Sequence, residues 1–191
     1  ARSILYFLNQ IVTDGVPELF DDVDAVLRTI GGSLPPDRVP VRFGSWVGGD
    51  RDGNPNVTPD TTLDVLAFQR ARALRLLITE IEDLSSELSV STSVTGISAE
   101  LAAHLASDAE EFPTVSTRFS MLSRGEPYRQ RCSVIHHRLL ETAKAPPGPG
   151  SYSSSTELQA DLAEMAESLA ANRGELLANG RLARVQRTVA L

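Results

Sequence analysis

Two carboxylates, one guanidinium and two glycines fall within the five residues Gly48-Gly49-Asp50-Arg51-Asp52, with Trp46 just upstream and Asn54 just downstream. Glycine takes positive φ freely and bares its backbone, so Gly48 and Gly49 offer N–H donors to an anion. Arg51 offers a planar fork to a carboxylate or phosphate. Asp50 and Asp52 could orient that arginine or hold a hard cation through oxygen. Trp46 is either an apolar anchor beneath the loop or one wall of a substrate pocket. The run through Asn54 and Pro55 equally suits a tight turn whose Asp and Arg residues satisfy each other and cap the next helix. Residue chemistry leaves the ligand loop and the stiff turn both open. An EF-hand is excluded because its closing Glu is missing, and the spacing matches neither a P-loop nor a dinucleotide fingerprint.

The remaining reactive side chains read more plainly. His136 and His137 are adjacent, so on a helix they point about 100° apart and chelate one metal poorly. With the isolated His104 they are expected at the surface or facing a partner. Cys132 is the lone cysteine and reads as filler; a chain with no internal disulfide fits a reducing cytoplasm. Asp108, Glu110 and Glu111 are expected to form a solvated face. Glu126-Pro127-Tyr128-Arg129 reads as a helix start with a cap and a local ion pair. Acids outnumber Lys and Arg by 25 to 18, for a net charge of -7, which disfavours bulk nucleic-acid or anionic-membrane binding. No apolar run reaches membrane-spanning length and no signal peptide is visible.

The elements that would position these residues are mostly helical. Apolar content of 41% supports a core, and aromatics at 5% with abundant Ala and Leu favour helices over a sandwich. Two helices are expected over residues 1–35, the second starting near Pro17 and stopped by Gly31-Gly32. Residues 36–58 hold the one strand candidate, Val41 to Trp46, followed by the glycine-rich loop. Thr58 as N-cap, Pro59 at the first helical position and Asp60 near the positive end of the dipole open a long helix. Its apolar stripe runs from Leu63 to Leu88. Residues 59–144 make a helical bundle, 145–155 a flexible linker rich in Pro, Gly and Ser, and 156–191 the C-terminal helices, with a capping-box-like start. The reading is predominantly α, a helical bundle with one short strand. A lone strand is not stable by itself, so the chain is expected to be a piece of a larger protein.

Phe43 to Pro59, "FGSWVGGDRDGNPNVTP", resembles the glycine-rich signature of the phosphoenolpyruvate carboxylase family, which commonly has Met where Val47 stands. The long helix ending in "SELSVS", the "EPYR" tetrapeptide and "SLAANRGELLANGRLARVQRTV" are similar to further segments of that family. The likeness covers most of the chain after residue 36. It implies a (β/α)8 barrel heavily elaborated with helices, in a cytoplasmic homotetramer. It implies carboxylation of phosphoenolpyruvate by bicarbonate to oxaloacetate and phosphate, with Mg2+ or Mn2+. It implies a substrate-side role for Trp46, Gly48, Gly49, Asp50, Arg51, Asp52 and Asn54, with Trp46 lining an apolar pocket that shields reactive intermediates. The family's Thr-Ala-His-Pro-Thr, Gly-Arg-Gly-Gly, catalytic lysine and metal-binding acids have no counterpart here, so the chain by itself is expected to be inactive. The rival reading is a non-catalytic helical interaction module.

Overall fold

A computed structural model describes residues 6–8, 10–50, 52–92, 94, 96–122 and 124–191. Two compact units divide it, one up to Leu76 and one from Leu77 to Ala190.

In the first unit, residues 6–8 and 10 are helical and run into a π-turn, Ile11–Gly15, and then α1, Val16–Thr29. Two separate helices were expected here. Gly15 instead takes right-handed helical dihedrals, φ -73° and ψ -36°, so the break expected ahead of Pro17 is absent. The wide turn, with Val16 N–H reaching the Ile11 carbonyl, absorbs the donor that Pro17 lacks. Gly31, at φ +79°, ends α1 as expected: Gly31 and Gly32 donate back to the Arg28 and Leu27 carbonyls at 3.2 and 2.9 Å, a Schellman closure.

The strand expectation fails. Residues 41–46 carry no regular structure, and there is no strand among the described residues. Val41, Arg42 and Phe43 have the side chains of a strand, but a ladder needs a partner backbone, and local propensity cannot supply one. Little of this unit is buried. Val16 and Phe20 are enclosed, while Leu19 and Val26 of α1, Ile30 just past its end, and Leu63 and Leu66 of the next helix are exposed.

That next helix, α2, spans Pro59–Glu87 and crosses the division between the units. The second unit adds α3 (Ala99–Glu111), α4 (Pro113–Leu122), α5 (Pro127–Thr142) and α6 (Ser155–Ala171). It closes with a short α7 (Glu175–Leu177), a π-segment (Ala178–Leu182) and α8 (Ala183–Ala190). Helices α3 to α6 pack on one another and α6 packs on α8. Ser98 and Ser154 cap α3 and α6, accepting from the Leu101 and Glu157 backbone N–H groups at 3.1 and 3.4 Å. Glu157 does not close the box back onto Ser154; its carboxylate takes the Ser153 N–H and hydroxyl. Buried Leu101, Tyr128, Ile135, Leu162, Met165 and Leu169 form the core. The segment expected as a linker is docked at its end. Tyr152 is buried, and its N–H donates to Thr142 Oγ1 at 2.8 Å. No helix among the described residues is long and apolar enough to cross a membrane.

Candidate functional site

The glycine-rich loop is built on the first turns of α2. The Trp46 carbonyl accepts from the Gly49 and Asp50 N–H groups at 3.1 and 3.2 Å. The tight reversal this makes needs a left-handed residue, and Gly48 supplies it at φ +74°. Gly48 also lies hard against the helix: a Cβ there would stand 2.7 Å from Val65 Cγ2. Thr62 Oγ1 donates to the Gly48 carbonyl at 2.5 Å. Downstream, Asp50 Oδ1 accepts from the Asp52 N–H at 3.1 Å and Asn54 Oδ1 from the Asn56 N–H at 3.0 Å, two Asx turns in succession. Thr58 Oγ1 accepts from the Thr61 N–H at 3.2 Å, the expected N-cap. Thr61 Oγ1 donates to the Asn56 carbonyl at 3.2 Å.

Of the residues singled out in this stretch, Trp46, Gly48 and Gly49 share one turn and Asp50, Asp52 and Asn54 the next two. Arg51 lies outside the described residues. Trp46 is 80% exposed, so it does not anchor the loop from beneath. Asp50, Asp52 and Asn54 are exposed. Among the described residues no three His, Cys, Asp or Glu side chains gather as metal ligands, and Asp50 already turns an oxygen to local backbone. The described residues therefore do not fit a Mg2+ or Mn2+ site.

The second unit holds a charge cluster that sequence reasoning missed. Arg131 is almost fully buried and donates to Asp108 Oδ2 at 2.6 Å and to Asp161 Oδ1 at 2.7 Å. Arg138 donates to Asp161 Oδ2 at 3.0 Å and to Glu157 Oε2 at 3.3 Å, and its guanidinium lies 3.9 Å over the Tyr152 ring. The Tyr152 hydroxyl donates to Asp161 Oδ2 at 2.6 Å. Burial alone would weaken the hold of Arg131 on its proton, but the Asp161 and Asp108 carboxylates beside it outweigh that and the net shift is upward. Burial first, and then Asp161, push the Tyr152 phenol up. Asp108 is thus a correction to the expected solvated face. A signal did exist: arginines at 131 and 138 repeat on one face of α5, and acids at 157, 161 and 164 repeat on one face of α6. Paired and hydrogen-bonded as they are, these groups serve packing; none is poised to move a proton.

The other candidates are likewise accounted for. Glu126 makes no side-chain cap; it accepts from Arg129 at 3.2 Å and from Ser89 at 2.8 Å, so the expected ion pair holds and the cap does not. Tyr128 is buried, with its hydroxyl 2.9 Å from Ser168 Oγ. His104 meets Glu164, His136 meets Glu82 at 3.0 Å, and His137 lies edge-to-face on Phe112. Cys132 is fully enclosed, and burial pushes its thiol up to about 12, which makes it a poor nucleophile.

Comparison with known proteins bears on the turn and the bundle together. A family model described as phosphoenolpyruvate carboxylase matches residues 1–191. Phosphoenolpyruvate carboxylase of Roseiflexus castenholzii is 35% identical over 198 residues, covering 95% of this chain and 21% of that protein. That of Bradyrhizobium diazoefficiens is 41% identical over 161 residues, covering 78% of this chain and 16% of that protein. That of Ralstonia nicotianae is 37% identical over 185 residues, covering 90% and 18%. The chain thus spans about a fifth of the length of the curated relatives it matches.

Proposed function

The chain belongs to the phosphoenolpyruvate carboxylase family, and we propose on that premise that its glycine-rich turn is one wall of the active site of a longer enzyme. That enzyme would be a cytoplasmic homotetramer built on a helix-elaborated barrel. The observation that carries the reading is the turn itself: a family-matched stretch whose backbone is fixed on α2 while Trp46 and the flanking acids stay exposed. A turn with only a folding role would be expected to bury its one large apolar side chain. The exposed apolar side chains of α1 and α2 also fit a chain that packs against more protein, and favour this reading over a self-contained interaction module.

In the proposed reaction a bicarbonate oxygen attacks the phosphorus of phosphoenolpyruvate. The enol P–O bond breaks, leaving carboxyphosphate and the enolate of pyruvate. Carboxyphosphate divides into carbon dioxide and phosphate, and the enolate carbon bonds to the carbon dioxide to give oxaloacetate. Trp46 would exclude water from the enolate. Gly48 and Gly49, having no side chains, would let substrate approach the backbone of the turn closely, and Arg51 would supply positive charge on the anion side. Asp50, Asp52 and Asn54 would hold the loop shape. The Mg2+ or Mn2+ that the family resemblance implies would be held outside the described residues, as would the catalytic His and Lys, so this chain alone would not turn over.

Arg51→Ala in the longer enzyme tests the reading. The expected result is a fall in kcat on the order of 100-fold with an unchanged unfolding midpoint. An unaffected rate would remove Arg51 from the site.

A further inference from the structure

We propose that Thr62 is a positioning residue for the carboxylation reaction, acting through the Trp46–Gly49 turn; this inference rests on the function proposed above. Thr62 lies outside the sequence motif. Its importance follows from where its one hydroxyl proton goes. A threonine inside a helix ordinarily returns that proton to the carbonyl four residues back. For Thr62 that carbonyl is Thr58 O, 3.3 Å away, whereas Gly48 O, fourteen residues back, lies at 2.5 Å. The shorter approach takes the proton, because hydrogen bonds of this type weaken steeply beyond ordinary O···O distances.

The acceptor is the carbonyl of the residue on which the whole turn depends. Gly48 alone has the left-handed φ that brings the Gly49 and Asp50 N–H groups back onto the Trp46 carbonyl. It is also seated directly against α2, at Val65. Val65 gives that seat its shape, and Thr62 gives it a direction. The next residue back, Thr61, grips the other arm of the loop at Asn56. Two neighbouring threonines therefore hold the loop at two points. Trp46 needs this restraint because, at 80% exposure, little of its surface is held by packing. Where Trp46 and the Gly49 N–H stand is thus set from the far side of the turn, by a side chain that need not meet substrate.

Thr62→Val keeps the shape and removes the donor, and Thr62→Ser keeps the donor. The first measurement uses the 191-residue chain, in which Trp46 is the only tryptophan. Thr62→Val is expected to add a fast component to the Trp46 anisotropy decay at unchanged helix content, and Thr62→Ser to restore the original decay. An unaltered decay in Thr62→Val overturns the proposal whatever the enzyme does. The second uses the longer enzyme. Thr62→Val is expected to lower kcat about tenfold, with KM for phosphoenolpyruvate little changed. It is also expected to release more phosphate than oxaloacetate, because enolate reached by water is protonated and leaves as pyruvate. Thr62→Ser is expected to return both quantities toward the parent. Normal rate and one-to-one stoichiometry in Thr62→Val, with an altered anisotropy decay, overturn the catalytic part of the proposal. If the unsubstituted longer enzyme makes no oxaloacetate, the functional reading fails, and the anisotropy result still decides whether Thr62 holds the turn.

Discussion

At the glycine-rich turn, Asp50 and Asp52 stand in solvent, and the carboxylate of Asp50 takes a backbone N–H two residues on. In the second unit Asp161 accepts from Arg131, Arg138 and Tyr152 at once, within a wall of buried side chains. Asp50 and Asp52 flank an arginine in the sequence, and Asp108 and Asp161 meet one in the fold, yet the physical situations of these acids are opposite. Water already solvates the exposed acids, so altering one changes the fold little and leaves its charge available to a ligand. The buried charges have lost their water, and each is tolerable only while its partners remain. Density of charge in a short stretch of sequence is therefore a poor guide to burial. The conspicuous group is the exposed one, and the buried one, Asp108 with Arg131, is scattered in sequence and joined by the half-buried Arg138 and Asp161.

The sharpest way to break this contrast is Arg131→Met. It removes the cation that Asp108 and Asp161 share, leaving Asp161 only Arg138 and Tyr152, and is expected to cost about 3–5 kcal/mol, read as a lowered urea midpoint. A variant as stable as the parent would mean that the enclosed carboxylates do not depend on Arg131. Gly48→Ala comes next, because it forces an L side chain to φ +74° and sets a Cβ 2.7 Å from Val65 Cγ2. About 2 kcal/mol is expected, with the helix content by circular dichroism kept. No loss would show that the turn does not sit on α2 as tightly as its geometry states. Smallest is Asp50→Asn, which keeps the Asx turn and removes an exposed charge; a change within about 0.5 kcal/mol is expected. A larger loss in the same urea titration would move Asp50 to the buried kind of acid.

What sequence made legible were features whose physics is local. Thr58 with Pro59 and the Gly31-Gly32 stop each act within one helical turn of themselves, and each is found where its side chain or missing Cβ requires. The glycine-rich turn was equally plain, though its grip by Thr62 was not, since that bond crosses fourteen residues. The strand at residues 41–46 was misjudged because side-chain preference says nothing about a missing ladder partner. The solvated face at Asp108 was misjudged because only the fold brings Arg131 to it. The docked end of the 145–155 segment was hidden by its composition: Pro, Gly and Ser surround the one residue, Tyr152, that ties it down.

Cys132 is the only thiol in the chain, it is wholly enclosed in the second unit, and its ionisation is pushed up to about 12. A thiolate is the species that alkylating reagents attack, so near neutral pH the closed protein presents almost none of it. Modification must wait for the surrounding helices to part. When reclosing outpaces labelling, the observed rate divided by that of a free thiol is the equilibrium constant for opening. The first unit carries no cysteine and stays silent in that measurement. The same titration run on Arg131→Met would then report how much of the closing force the buried charges supply, without any label having been introduced.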